Sequence, residues 1–390
     1  MSLFSSRTDW PSSSNPISQQ LQLFQEQGTS IIDLTCSNPT RCGFSYPFAA
    51  ILQAFQNEEN LSYQPDARGM LRAREAVCRY YAERGVQVSP QNIFLTASTS
   101  EAYSLLFRLL VDHGEEVVFP KPSYPLFEFL AGLNDIEWKT YPLVYDGSWR
   151  LDRQRFREVL SPLCKTVIIV NPNNPTGSCL DQGEVSFIEN LCSAEDRAII
   201  CDEVFLDYPL DPGSSIRSLA SDSECLTFVL GGLSKAVGLP QMKLSWIVVS
   251  GPASKVEEAN RRLEMICDTY LSVNTPAQNA LSFWLRESEG LRQEILGRLR
   301  KNYSVLTSLD PCGVTRLRAQ GGWYAVLALP PGICEEEFSL SLLKEEKVYT
   351  HPGYFFDFES EPFLVVSLLP PENDFRSGMD AIGRHVERVQ

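Results

Sequence analysis

The sequence predicts an α/β protein: a large domain with a mainly parallel sheet flanked by helices, plus a smaller α+β domain. Three observations support this reading. Short apolar runs rich in β-branched residues alternate with longer amphipathic stretches through the middle of the chain, the pattern of strands joined by crossover helices and buried on both faces. The length of 390 residues exceeds the usual size of one hydrophobic core. Beyond about Pro276 the alternation gives way to a long charged helical pattern and isolated strands.

Taken in order, Pro11-Ser12-Ser13-Ser14 reads as a mobile arm or a strap across a partner. Strands are expected at Ile93–Thr96, Glu116–Phe119, Thr166–Val170, Ala198–Cys201, Thr227–Leu230 and Ser245–Val249, all too short for helices. A helix is expected from Glu101 to Val111, with Leu105, Leu106, Leu109 and Leu110 on one stripe. One long helix is expected from Leu281 to Leu306, followed by strands in 321–327 and 363–368. Residues 46–285 are assigned to the large domain, and 1–45 with 286–390 to the small one.

Hydrophobic residues at 43% and charged residues at 21% describe an ordinary globular composition. A formal net charge of -15 argues against nonspecific binding to nucleic acid or anionic membrane. No apolar run reaches the ~18 residues of a bilayer span, and Met1 to Arg7 shows no signal pattern. The eleven cysteines include no CxxC pair, and His113, His351 and His385 lack metal-ligand spacing. Reduced thiols, a cytoplasmic setting and no metal site are expected.

Ligands of such sheets gather beyond the carboxyl ends of the strands, and each strand end here carries a suggestive loop. Ala97-Ser98-Thr99-Ser100-Glu101 offers hydroxyls and free N–H groups for a phosphate, or a plain capping box of Ser98 with Glu101. Pro120-Lys121-Pro122-Ser123-Tyr124-Pro125 holds Tyr124 as a platform for an aromatic ligand, or packs it over the core. Asn171 to Gly177 is turn chemistry throughout. Asp202, closing an apolar strand, needs a cationic partner to offset desolvation. Lys235 sits in the uncharged stretch Leu233-Ser234-Lys235-Ala236-Val237-Gly238-Leu239-Pro240, with Lys243 eight positions on. Burial lowers an amine's pKa and makes it a nucleophile toward an aldehyde; the bland alternative is two solvated lysines on a surface loop.

This ordered set, with Asn-Pro-Thr-Gly at 174–177, Asp202-Glu203 and Ser234-Lys235-x-x-Gly238-Leu239-Pro240, resembles the class I/II, fold-type I, pyridoxal-phosphate aminotransferases. The resemblance extends from Leu34 to Ser367, through Tyr63 to Gly69 and Gly322-Trp323-Tyr324. It implies that Lys235 forms the Schiff base and shuttles a proton, and that Asp202 pairs with the pyridinium nitrogen. It further implies that Asn174 donates to the ring oxygen and that Tyr124 stacks on the ring. Ser98, Thr99, Ser100, Ser234 and Lys243 would surround the phosphate, with Tyr63 supplied by the second subunit of a homodimer.

The chain also departs from that family. Phe205 stands where a tyrosine hydroxyl usually meets the ring oxygen, Lys243 replaces an arginine, and Gly232 replaces a serine. Aligning on Ser367 puts Val365 where many relatives hold the substrate α-carboxylate with an arginine. Asn38, Arg41 and Trp323 are further candidate substrate residues, with Arg41 either a replacement anchor or a solvated surface charge. The expected function is transamination between a small amine or amino acid and an oxo acceptor. A lyase, decarboxylase or racemase on the same fold, or a non-catalytic cofactor-binding protein, are the alternatives.

Overall fold

Each apolar run in the middle of the chain is a strand, and most extend one or two residues beyond the sequence pattern. The structure, a computed structural model, describes residues 3–10, 15–212, 215–221, 223–360 and 362–390. The segment Pro11-Ser12-Ser13-Ser14 lies outside the described residues. In chain order the strands are β1 (Ile32–Asp33), β2 (Ile93–Thr96), β3 (Glu116–Lys121), β4 (Glu137–Tyr145), β5 (Trp149–Leu151), β6 (Cys164–Val170) and β7 (Ala198–Asp202). They continue with β8 (Thr227–Gly232), β9 (Ser245–Ser250), β10 (Thr315–Arg316), β11 (Tyr324–Ala328), β12 (Val348–Tyr349), β13 (His351–Pro352) and β14 (Phe363–Ser367).

The large sheet has the order β2-β9-β8-β7-β6-β3-β4-β5. Its centre is parallel, with β3 pairing β4 and β6, β6 pairing β7, and β7 pairing β8. Strand β9 runs antiparallel to both β2 and β8, so β2 points the same way as β8. The carboxyl ends of β2, β3, β6, β7 and β8 therefore share one edge. Both faces are covered: Val167, Ile169, Ile199, Cys201 and Val229 enter one core, and Ile168, Ile200, Phe228 and Leu230 the other. The two-residue alternation of a strand sends neighbours to opposite faces, which is why these strands read as continuous apolar runs. The expected helix at 101–111 is Thr99–Leu110, with Leu105 and Leu106 buried against the second core.

The single helix expected over 281–306 is two helices, Thr275–Glu287 and Glu289–Val305. The break falls at Ser288, whose N–H still donates to Trp284 O at 3.1 Å. It separates two packing duties. Leu281 and Trp284 join Ile51 in the large-sheet core, whereas Leu291, Ile295 and Leu299 pack with Leu34, Phe375 and Ile382. A charge pattern continuous in sequence does not reveal that change of partner.

The smaller sheet is antiparallel, in the order β10-β11-β14-β13. The N-terminal β1 pairs in parallel with β12, fastening the chain start to the C-terminal part. The β4–β5 hairpin adds an antiparallel edge to the large sheet. Among the described residues, no helix is long and apolar enough to cross a membrane.

Candidate active site

The carboxyl edge of the large sheet brings together Ser98, Tyr124, Asn174, Asp202 and Lys235, each from the end of a different strand. Lys235 lies in the turn Leu233–Ala236 directly after β8. That turn is held by the Tyr208 hydroxyl, which donates to Lys235 O at 2.6 Å, and by Tyr46, which donates to Gly238 O at 2.7 Å. The Lys235 ammonium stands 4.6 Å from the Trp323 ring centre and 5.9 Å from that of Phe205. Burial brings its pKa down to about 8, partly opposed by the charge of Asp202. The electron-rich ring faces compensate only part of the lost hydration.

Asp202 closes β7 as a buried carboxylate. Burial pushes its pKa up to about 6, against the donation of Val204 N to Oδ1 at 3.1 Å, the Tyr103 hydroxyl to Oδ2 at 3.1 Å, and the nearby Lys235 charge. Tyr103 was not among the residues singled out from the sequence. Its one signal there is a hydroxyl-bearing ring within the apolar stripe of helix Thr99–Leu110.

The loop after β6 uses its asparagines differently. Asn171 donates to Arg217 O and accepts from Leu180 N, and Asn173 Oδ1 accepts from the Thr176 hydroxyl at 2.8 Å. Asn174 Oδ1 is buried with no hydrogen-bond partner, so its amide is the one in this loop available to a ligand. Gly177 ends the loop at φ +66°, where a Cβ would lie 2.5 Å from Gly321 O. Only glycine permits both that conformation and that approach, and Gly177 O accepts from Gln320 N and Gly321 N. The departure at Gly232 has a similar steric cause, because a Cβ there would sit 2.3 Å from Ser245 Oγ. The neighbouring strand thus fills the space that a serine side chain would need.

Ser98 caps the helix Thr99–Leu110, accepting from Glu101 N at 3.1 Å. The reciprocal half of the expected capping box is displaced, since Glu101 accepts from Ala97 N at 2.6 Å rather than from Ser98 N. Thr99, Ser100 and Ser234 are half-buried, and Lys243 is exposed at φ +48°. Tyr124 is 46% exposed and Tyr63 is 77% exposed.

The candidate substrate residues separate. Trp323 is fully buried and forms the wall behind Lys235, with Phe205 5.5 Å away ring to ring. Asn38 caps the short turn Pro39–Arg41, accepting from Thr40 N and its hydroxyl, and Arg41 projects exposed from that turn. Val365 does not line open space: it is fully buried in a cluster with Trp149, Leu317, Val326 and Phe356. Val365, aligned with a substrate-holding position, is corrected as a substrate residue, because Trp149 and Phe356 pack beside it and leave it no exposed surface. Tyr324 and Ser37 join the site instead. Burial pushes the Tyr324 hydroxyl up to about 12, with Ser37 lowering it and Tyr124 and Cys36 raising it.

This residue set fits pyridoxal phosphate. It provides an amine drawn toward neutrality, a buried carboxylate for a protonated ring nitrogen, the Asn174 side-chain amide, whose N–H2 is free to donate among the described residues, and hydroxyls at a helix start. Known proteins carry the same organisation. The glutamate-pyruvate aminotransferase AlaA of Haemophilus influenzae is 25% identical over 380 residues, covering 95% of this chain and 94% of that protein. The alanine aminotransferase of Mycobacterium tuberculosis is 26% identical over 383 residues, covering 94% and 88%. Among solved structures, the alanine aminotransferase from Pyrococcus furiosus superposes with a TM-score of 0.89 at 24% identity, covering 99% of this chain and 100% of that one. A double mutant of Thermus thermophilus aspartate aminotransferase gives 0.86 at 20% identity, covering 99% and 100%. The family model for aminotransferase class I and II matches residues 29–382. The chain therefore belongs to the class I and II aminotransferases and is a pyridoxal-phosphate-dependent aminotransferase.

Proposed function

We propose that Lys235 holds the cofactor and carries the proton of a transamination whose amino substrate is not anchored through β14. The observation behind this reading is the Lys235 amine at about pKa 8, at the end of β8 and within reach of the Asp202 charge. Pyridoxal phosphate supplies an aldehyde for the amino group and a ring that accepts the electrons released at the substrate Cα. Lys235 Nζ would hold and move the proton between that Cα and the cofactor's C4′, the carbon on the other side of the amino nitrogen. Asp202, kept ionised by Tyr103 and Val204, holds a proton on the ring nitrogen. Asn174 would donate to the ring oxygen, Tyr124 would cover one ring face, and Phe205 would offer that oxygen no phenol. Ser98, Thr99, Ser100, Ser234 and Lys243 surround the phosphate together with the partner subunit's Tyr63. The exposed Phe48, Leu52, Leu61 and Tyr63 support a homodimer, and eleven free thiols suit a cytoplasmic setting.

A valine in place of an arginine at position 365, on a β14 that carries no cation, favours an amine, an amino alcohol or an aminosugar-like donor over an ordinary α-amino acid. A second reading keeps amino acids as substrates, with Arg41 as the anchor. It is supported by the exposed Arg41 guanidinium, whose charge acts on Cys36 beside Tyr324. A panel of amines, amino alcohols, L-alanine and L-glutamate, assayed with wild type and Arg41→Ala, separates the two. Conversion of the cofactor to its amino form is followed by absorbance. Amines outcompeting amino acids supports the first reading, and a sharp rise in KM for amino acids on Arg41→Ala supports the second. Efficient turnover of amino acids by both proteins refutes both.

A further inference from the structure

The loop between β1 and the Pro39–Arg41 turn carries two thiols in contact. Cys36 Sγ and Cys42 Sγ are 3.6 Å apart, and Cys42 Sγ also lies 3.2 Å from Asn38 O. Cys36 is half-buried and reachable by a small solute, whereas Cys42 is 1% exposed. The segment is anchored at both ends and reaches the active site through Ser37. Ser367 Oγ donates to Cys36 O at 2.7 Å, and the next residue, Ser37, faces the Tyr324 hydroxyl. Arg298 donates to Cys42 O at 3.4 Å.

We propose that Cys36 and Cys42 form an oxidant-responsive dithiol, in which a peroxide converts the pair reversibly to a disulfide and so repositions the loop bearing Ser37, Asn38 and Arg41. The Cys36 thiolate attacks a peroxide oxygen. The O–O bond breaks, an S–O bond forms, and the departing oxygen leaves as water after taking a proton. The Cys42 sulfur then gives up its proton and attacks Cys36 Sγ. The S–O bond breaks, the S–S bond forms, and the second oxygen leaves as water. Two thiols are oxidised by two electrons in all, and one peroxide is reduced.

The division of labour follows from the contact. Cys36 is the half-buried thiol that a small solute reaches, whereas Cys42 is 1% exposed and directs its S–H to Asn38 O at 3.2 Å; their contact lowers the Cys36 thiol and raises that of Cys42. Cys36 is thus the attacking thiolate and Cys42 the protonated resolving partner. Joining them requires the sulfurs to close from 3.6 Å to about 2.05 Å. That movement is taken up by the short turn carrying Asn38 and Arg41.

The test treats the holoenzyme with stoichiometric hydrogen peroxide and maps its peptides. The expected product is lighter by two hydrogens, bridges Cys36 to Cys42 before any other cysteine reacts, and is reversed by dithiothreitol. Cys42→Ser stops at a Cys36 sulfenic acid captured by dimedone, and Cys36→Ser removes the fast reaction. The bridged enzyme should show a several-fold change in KM for the best donor of the panel above, restored on reduction, with the cofactor still bound. Oxidation of another cysteine first, or failure of Cys36 to react, overturns the site. A bridged enzyme with unaltered KM overturns its effect on the loop. The bridge is read by mass whichever donor the panel identifies, so failure of the substrate reading leaves this test intact.

Discussion

The Tyr103 hydroxyl donates to Asp202 Oδ2 across 3.1 Å, with both groups buried. The tyrosine ring is fixed edge-on against Phe127, with centres 5.2 Å apart, so the donor cannot easily turn away. The interaction favours the ionised carboxylate against the desolvation that pushes its pKa up to about 6. On the proposed reading Asp202 acts ionised, holding a proton on the cofactor nitrogen, and Tyr103 is then a positioning residue for the reaction.

Tyr103→Phe should therefore raise the Asp202 pKa above 6 and shift the acid limb of the pH–rate profile upward. A hydrogen bond to a charged group contributes about 1.5–3 kcal/mol, roughly 1–2 pKa units, which lowers the ionised fraction of Asp202, and kcat with it, roughly 2- to 15-fold at pH 7. The check is a pH profile of kcat for both proteins. A uniform loss with the acid limb unmoved would indicate a purely structural role.

Lys235 trades stability for reactivity. Its folded pKa of about 8 lies below the ordinary lysine value of 10.5, so the unfolded chain binds the proton more tightly. Stability is lost as pH falls from about 10.5 through about 8, and at pH 7 the deficit is on the order of 3 kcal/mol. In the apo-protein, Lys235→Met should be more stable than wild type by about that amount at pH 7, and the difference should vanish near pH 10.5. Urea unfolding at several pH values measures it.

Phe205 lies 3% exposed between Trp323 and Tyr324, at ring distances of 5.5 and 6.4 Å. Phe205→Tyr should place a phenol against the cofactor's ring oxygen and stabilise its anionic form. The visible band of the lysine-bound cofactor should then titrate at a lower pH than in wild type. An unchanged or higher midpoint would show that position 205 does not face that oxygen.

Introducing at position 365 the arginine that the family resemblance implies should not create an amino-acid carboxylate site. Val365→Arg forces a guanidinium among Trp149, Leu317, Val326 and Phe356, where it meets aromatic and aliphatic surface. The expected destabilisation is roughly 3–5 kcal/mol, the scale of an uncompensated buried charge, visible as a lowered Tm. A variant that keeps its Tm and gains affinity for L-alanine would show that the aromatic cluster opens readily.

Local chemistry made much of this enzyme legible. Strand runs such as Thr166–Val170 and Ala198–Cys201 announce themselves through β-branched residues, and the residues ending them are conspicuous: the acids Asp202 and Glu203, turn-forming amides at Asn171 to Asn174, and a lysine in the uncharged turn around Lys235. Each of these signals is contained in a few consecutive residues. Contacts between distant residues were not legible in this way. Tyr103 and Asp202 are 99 positions apart, and they meet because β2, which precedes the Tyr103 helix, reaches the same edge as β7 through the order β2-β9-β8-β7. Val365 looks like an open pocket position until the β4–β5 hairpin brings Trp149 against it. The helix break at Ser288 is equally invisible, because only packing shows that Trp284 and Leu291 belong to different cores. A sequence determines which residues end each strand through short-range conformational preference, whereas sheet order and side-chain packing decide which of those ends touch and what fills the space between them.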